Sequence, residues 1–246
     1  MTNFLLATGL VAALVVVLMM VRLWRTLRWV HGAVATDLAP MLANARAQAE
    51  ARAYLATLLQ QPPETLPPMG GWAASADFLV ILAETVLARR PETVVEFGSG
   101  VSTLVAARCL QLNGRGRLLT FDHDAAFAEV TRQRLQRLGL AGEVVAVPLG
   151  EPPSGYAGRW YDVADLPATI DLLVIDGPPK HNHPETRGGA AALFDRLRGP
   201  GAVVLLDDAA RPGERAVAEL WRERHPALAF AFIGTEKGTL IGRMES

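Results

Sequence analysis

The sequence predicts an α/β protein: an open, mostly parallel sheet with helices on both faces, preceded by an N-terminal transmembrane helix. From Trp72 onward, short β-branched runs alternate with segments of helical periodicity, the pattern of a parallel sheet covered on both sides. The chain has 246 residues, 50% of them hydrophobic, which suits one α/β domain with a large core and added segments. A charge-free apolar run near the N-terminus predicts the membrane helix.

Composition excludes several classes of protein. Lys and Arg number 24 against 25 Asp and Glu, and a net charge of −1 argues against a general nucleic-acid binder, which needs a clustered cationic surface. The single cysteine, Cys109, excludes an intrachain disulfide and a thiolate zinc cluster. A reducing compartment is therefore favoured.

Residues 1–28 are expected to be a transmembrane anchor. Residues 4–21 carry no charge and would form a helix about 27 Å long, close to the thickness of a bilayer core. Arg22, Arg25 and Arg28 follow this run, and the positive-inside rule then predicts a single-pass protein of the inner membrane with its main domain in the cytoplasm. The alternative is a cleaved signal peptide ending near residues 33–35, against which the missing basic N-terminal region argues.

Residues 29–71 are interpreted as a helical stalk followed by a proline-rich hinge. Residues 37–61 are rich in Ala, Gln, Glu and Arg and predict a helix, whereas four prolines and two glycines within 62–71 end it. A spacer and a coiled-coil dimerisation segment both remain open, although no sustained heptad is visible.

Residues 72–246 form the predicted catalytic domain. The expected parallel strands are 93–97, 117–121, 143–147, 170–175 and 202–206. Two further strands, 227–233 and 239–242, are joined by a Gly-rich turn that allows an antiparallel hairpin. The expected helices are about 75–89, 102–112, 124–138, 186–198 and 212–225.

Acidic residues stand where the predicted strands end. In an open sheet, ligands bind outside the carboxyl ends of the strands, so these residues are the candidates for a site. They are Glu96, Asp122, Asp176, Asp207 and Asp208. The central hypothesis is that they converge on one crevice.

The first strand leads into a glycine turn, Gly98-Ser99-Gly100, in which missing side chains let backbone amides approach a ligand. Ser102 or Thr103 can cap the next helix, and a tight turn without any ligand is the alternative. A nicotinamide dinucleotide fingerprint would need a third glycine at Thr103. The turn therefore favours a nucleoside without phosphates.

Two acids flank this turn. Glu96 ends an apolar strand, where an ionised carboxylate is costly unless a cationic ligand pairs with it. Asp122, followed by His123, ends the next strand, the place from which a carboxylate accepts the hydroxyls of a ribose. These residues, together with the glycine turn, are the predicted cofactor-binding set.

Asp176, Asp207 and Asp208 offer three hard oxygen ligands that suit Mg²⁺. The alternative is that Asp207 and Asp208 cap the following helix or pair with Arg211 or Arg215.

Lys180 and His181 follow Asp176 and are the candidate catalytic bases. A lysine in an apolar or metal-adjacent setting can lose its proton near neutrality. The His181-Asn182-His183 stretch allows a second base, a zinc site or simply a mobile polar lip over the cleft.

Four ordered motifs carry a resemblance to class I S-adenosylmethionine-dependent methyltransferases. They are VVEFGSGVST at 94–103, TFDHD at 120–124, DLLVIDGPP at 171–179 and GAVVLLDDA at 201–209. The resemblance implies a Rossmann-like seven-stranded sheet whose last strand is antiparallel. It also implies that Gly98 and Gly100 cradle the methionine portion, Glu96 supports its amino end and Asp122 holds the ribose.

The acids after the fourth and fifth strands resemble the ion-binding positions of metal-dependent O-methyltransferases, among them the catechol type. By that resemblance Asp176, Asp207 and Asp208 hold the metal. The catechol type also places a lysine shortly after its metal aspartate, and Lys180 matches it with one extra residue of spacing.

The sequence thus predicts methyl transfer from S-adenosylmethionine to a hydroxyl of a small, membrane-associated or lipid-linked acceptor. Mg²⁺ is the candidate second cofactor, which would assist the transfer. A membrane-anchored, non-catalytic nucleoside-binding scaffold and a nicotinamide oxidoreductase are the alternatives. The acceptor cannot be read from the sequence, because one fold serves many chemistries.

Overall fold

The structure is a computed structural model that describes residues 2–244. The chain divides into two compact units, Met1–Ala47 and Gln48–Ser246. The second unit thus begins 24 residues before the position at which the sequence pattern changes, Trp72.

The first unit is helical: α1 spans Thr2–Ala33, a π-helical turn spans Val34–Leu38, and α2, Ala39–Leu59, begins there. Among the residues that the structure describes, no helix is both long and apolar enough to cross a membrane. Part of the predicted apolar run, residues 4–8, 11 and 12, lies outside the described side chains. This finding contradicts the predicted inner-membrane localisation, and the predicted transmembrane anchor has no support in the described part of the chain.

The second unit is built on a seven-stranded sheet. Its strands are β1 Thr93–Phe97, β2 Arg117–Asp122, β3 Glu143–Ala146, β6 Leu172–Ile175, β7 Val203–Leu206, β8 Leu228–Ile233 and β9 Thr239–Met244. Their order across the sheet is β3-β2-β1-β6-β7-β9-β8. The first five of these are parallel, and β9 runs antiparallel to both β7 and β8. The predicted Rossmann-like sheet with an antiparallel last strand is confirmed.

The sheet is covered on both faces, as alternation along the strands requires. The covering helices are α3 Ala76–Arg89, α4 Val101–Asn113, α5 Ala125–Arg137 and α6 Pro212–Arg224. In β6, Leu172 and Val174 join one core cluster with α3 and α4, whereas Leu173 and Ile175 join the other with α6. The end of α2 contributes to the first cluster through Leu55.

Two local elements differ from the predictions. Residues Thr186–Arg196 form a 3-10 segment instead of an α-helix, and its adjacent Gly188 and Gly189 disfavour α-helix. A two-stranded sheet of β4 Leu149–Gly150 and β5 Trp160–Tyr161 lies between β3 and β6. Strands of two residues carry no detectable period, which is why the sequence does not indicate them.

Replacing Trp221 of α6 tests the packing of the core cluster that contains Leu173 and Ile175. Its side chain is fully buried, it packs on Phe194 and Phe230, and its indole N–H donates to the Gly188 carbonyl at 3.1 Å. We expect Trp221→Ala to lower the free energy of unfolding by about 3–5 kcal/mol in urea denaturation, because it leaves a large cavity and an unpaired carbonyl. Trp72→Ala is the matched control, since Trp72 is 88% exposed. Equal losses in the two variants would contradict this packing.

Candidate active site

The sheet brings the predicted acids to one edge. Glu96 lies near the end of β1 and Asp122 ends β2, and the two strands are adjacent and parallel. The Asp176 amide donates to the Phe97 carbonyl at 2.8 Å, and the Asp207 amide donates to the Ile175 carbonyl at 3.0 Å. The carboxyl ends of β2, β1, β6 and β7 therefore stand side by side, and the predicted convergence holds for these acids.

Gly98 is required by the neighbouring chain. Its φ is +92°, and a Cβ there would lie 2.9 Å from the backbone carbon of Asp176 and the backbone nitrogen of Gly177. The glycine thus lets the loop after β1 approach the loop after β6 without intervening side chains. This backbone contact sets the spacing between the two halves of the site.

Asp122 organises the glycine turn. One of its oxygens accepts from the Ser99 amide at 2.8 Å and from the Ser99 hydroxyl at 2.6 Å. The other accepts from the Asp124 amide at 3.0 Å and lies 3.4 Å from Nδ1 of His123. Asp122 therefore holds the turn in place before any ligand binds. The lone pairs that remain on its oxygens are those a ribose would use.

Glu96 is completely buried and is held by hydroxyl groups. Oε2 accepts from Thr103 at 2.6 Å and from Thr120 at 2.8 Å, and Thr103 in turn accepts from the Gly100 amide at 2.9 Å. Burial raises the pKa of Glu96 to about 7, while hydrogen bonds from Thr103, Ser102 and Thr120 oppose the rise. Within the part of the chain that the structure describes, Oε1 has no hydrogen-bond partner.

The three aspartates form one cluster. One carboxylate oxygen from each of Asp176, Asp207 and Asp208 lies within 4.8 Å of the others. Among the described residues, both oxygens of Asp207 and Oδ1 of Asp208 are buried without a hydrogen-bond partner. Asp208 has a φ of +59°, a left-handed conformation that is strained for an aspartate and typical of functional sites.

Arg187 is a member of the site that the sequence analysis missed. Its guanidinium is buried and lies 3.0 Å from Oδ2 of Asp208 and 3.6 Å from Oδ1 of Asp176. Arg211 also contacts Oδ2 of Asp208, at 2.6 Å, so the pairing predicted as the alternative for Asp208 is present. Asp207 has no such ion pair among the described residues. Nothing in the sequence distinguishes Arg187 from the other arginines of a predicted helix.

The cluster fits a cation. Burial, followed by the charge of Asp207, raises the pKa of Asp176 well above its usual range. Burial, followed by the charge of Asp208, raises the pKa of Asp207 to about 6. Buried carboxylates that repel one another and leave oxygens unpartnered are costly, and a bound cation would offset that cost. Three carboxylate oxygens at this spacing are ligands suited to Mg²⁺ or Mn²⁺.

The two lysines of the chain differ in their surroundings. Lys180 and His181 follow β6 and are exposed. Lys237, in the turn between β8 and β9, donates to the Ala73 carbonyl at 2.7 Å, and its charge opposes the rise in the pKa of Asp176 and of Asp207. Lys237 was not among the predicted site residues. Lys237 lies in a turn that is distant in sequence from Asp176 and Asp207, so no motif indicated that it is close to them.

Tyr161, on β5, is a third residue at the site outside the predicted catalytic, cofactor and metal sets; the sequence leaves open whether it lines an acceptor pocket or packs in the core. Its side chain is 95% buried against Phe97, and its hydroxyl touches Gly177, where a Cβ would collide with it. Burial, followed by the charge of Asp122, raises the pKa of this phenol, which therefore keeps its proton. Tyr161 thus packs against the loop that follows β6 and supports it.

Comparison with known proteins agrees with this geometry. A family model described as a methyltransferase domain matches residues 95–209. The chain is 31% identical over 195 residues to catechol O-methyltransferase of Mycobacterium tuberculosis (strain ATCC 25618 / H37Rv), covering 74% of this chain and 82% of the relative. The range matched by the family model contains Glu96, Asp122, Asp176, Asp207 and Asp208.

Solved structures share the fold. The methyltransferase PaMTH1 of Podospora anserina, bound to SAH, has a TM-score of 0.59 at 14% identity and covers 86% of this chain and 97% of its own. The O-methyltransferase of Bacillus cereus, in complex with SAH, has a TM-score of 0.53 at 18% identity and covers 80% and 91%. The family model and the relative from Mycobacterium tuberculosis favour methyl transfer over the scaffold and oxidoreductase alternatives. With its fold and its relative taken together, the chain belongs to the class I S-adenosylmethionine-dependent O-methyltransferases.

Proposed function

We propose that this protein methylates a hydroxyl group of a small-molecule acceptor with the help of a divalent cation held by Asp176, Asp207 and Asp208. The observation that carries the proposal is the set of unpartnered, buried oxygens on Asp207 and Asp208, beside the turn expected to bind the methyl donor. A relative whose name gives catechol as its acceptor supports a hydroxylated aromatic compound as the first acceptor to test.

The donor side is proposed to consist of the glycine turn and the two acids around it. Gly98 and Gly100 carry no side chain and so leave room for the donor against the turn, Asp122 faces the ribose, and the free Oε1 of Glu96 supports the amino end of the methionine portion. His123, Ser102 and Thr103 complete this set by holding the two acids. S-adenosylmethionine supplies an already electrophilic methyl group, so the protein has mainly to align donor and acceptor.

The acceptor side is proposed to be the aspartate cluster. Bound there, the cation would lower the pKa of an acceptor hydroxyl and fix its orientation. Asp207 contributes the two oxygens that have no other partner among the described residues, and Asp208 contributes Oδ1. Asp176, on the adjacent strand end, faces them across the sheet edge.

Lys180 and His181 are proposed to accept the proton of the acceptor hydroxyl. They lie in the loop that follows Asp176 and reach solvent, so a proton taken from the acceptor has a path to bulk water.

A direct test measures S-adenosylhomocysteine formation with catechol and a panel of other hydroxylated aromatics. We expect turnover with Mg²⁺, loss of turnover with EDTA, and a decrease of about 100-fold in Asp207→Asn, since a neutral amide weakens cation binding. Asp165→Asn is the control, because Asp165 is exposed and lies outside the cluster. Turnover that is indifferent to EDTA and to Asp207→Asn would contradict the cation, and the absence of product with every acceptor would contradict the proposed acceptor class.

The buried Glu96 predicts a dependence of stability on pH. Its pKa is about 7 in the fold against 4.5 ordinarily, so the fold favours the protonated form, and its stabilisation is lost as pH rises from 4.5 through 7. Glu96→Gln cannot ionise. We expect the stability of this variant relative to wild type to improve by about 2 kcal/mol between pH 5 and pH 8 in urea denaturation.

Glu143→Gln is the matched control for that experiment, because Glu143 is an exposed glutamate on β3. Its stability relative to wild type should stay constant over the same range of pH. A constant difference for Glu96→Gln as well would show that Glu96 titrates normally, contrary to its burial.

A further inference from the structure

We propose that Arg187 is a positioning residue that fixes the two strand ends bearing the cation ligands and so keeps their inner oxygens free for the ion. This inference rests on the proposed divalent-cation site and goes beyond it, because Arg187 itself is not a ligand. It assigns a function to a buried arginine that has no proposed contact with the methyl donor or the acceptor.

The guanidinium of Arg187 joins the ends of β6 and β7. Nη2 donates to the backbone carbonyl of Asp176 at 2.8 Å, and Nη1 donates to the backbone carbonyl of Asp207 at 2.9 Å. Nε donates to the carbonyl of Pro178 at 3.4 Å, in the loop after β6. One side chain therefore fixes the main chain of two of the three proposed ligands.

The same guanidinium takes the outer oxygen of the third ligand. Nη2 lies 3.0 Å from Oδ2 of Asp208, the oxygen that Arg211 also contacts at 2.6 Å. Oδ1 of Asp208 and both oxygens of Asp207 are left without partners in the described part of the chain. Within Asp208, the two arginines thus pair the outer oxygen and leave the inner oxygen available.

Arginine suits this position better than lysine. A guanidinium is planar and carries five donors in a fixed fork, so it bonds carbonyls on two strand ends and a carboxylate together. Lysine keeps the positive charge but presents a single nitrogen on a flexible stem. A geometric function and a purely electrostatic function therefore predict different outcomes for replacement by lysine.

Arg187 is itself held firmly. It lies in the 3-10 segment Thr186–Arg196 and is 3% exposed. The Thr186 hydroxyl donates to the Arg159 carbonyl, and the Gly188 carbonyl accepts from the indole N–H of Trp221 at 3.1 Å. Both neighbours of Arg187 in sequence are thus fixed, so its guanidinium is a rigid support for the strand ends.

The experiment measures Mn²⁺ dissociation constants by electron paramagnetic resonance on the full chain, for wild type, Arg187→Met and Arg187→Lys. Arg196→Met is the matched control: Arg196 is in the same segment and also donates to two carbonyls, those of Leu166 and Pro167, at 3.1 and 3.0 Å. Circular dichroism melting on each variant reports folding. If Arg187→Met does not fold, Arg187→Lys decides.

We expect both Arg187 variants to bind Mn²⁺ at least 10-fold more weakly than wild type and to broaden the bound-Mn²⁺ spectrum, while Arg196→Met stays within twofold. Tighter binding by Arg187→Met with unchanged binding by Arg187→Lys would show that the arginine acts through charge alone and would overturn the proposal. A lower melting temperature with unchanged Mn²⁺ affinity would overturn it as well, since the role would then be structural. Absence of Mn²⁺ binding by wild type would refute the cation site itself.

Discussion

The close approach of the loops after β1 and β6 is the constraint on which the site depends. Gly98 permits it, because any side chain there would meet the backbone of Asp176 and Gly177. Parallel pairing of β1, β6 and β7 then places Asp176 beside Asp207. The proposed donor turn and the acid cluster are thus built on one edge of one rigid sheet, which satisfies the need for fixed geometry in methyl transfer.

The two halves of the site stabilise their buried acids in different ways. Glu96 and Asp122 are stabilised by hydroxyl and amide donors, which leaves few oxygens unpartnered. In the aspartate cluster, Arg187 and Arg211 pair with the outer oxygen of Asp208, and the inner oxygens stay bare. Unpaired buried carboxylates are costly, so the second half, unlike the first, leaves oxygens for the cation that we propose.

The strands and the strand-end acids could be predicted because both are local features: a β-branched run followed by a polar residue. Glu96, Asp122, Asp176, Asp207 and Asp208 were found in this way. Arg187 and Lys237 could not be found, because they reach the edge from a 3-10 segment and from a distant turn. Their function follows from tertiary contacts that leave no period or motif in the sequence. The membrane prediction rested on an apolar run and on the arginines that follow it, whereas no helix of the described residues is long and apolar enough to cross a membrane.

The central claim is that the three aspartates surround one cation next to the methyl donor. It is tested most directly by crystals grown with S-adenosylhomocysteine and Mn²⁺, measured for anomalous scattering. The account predicts a single Mn²⁺ peak bonded to Asp176, Asp207 and Asp208, with S-adenosylhomocysteine lying along the turn from Gly98 to Gly100. S-adenosylhomocysteine bound there without any anomalous peak among the aspartates would contradict it.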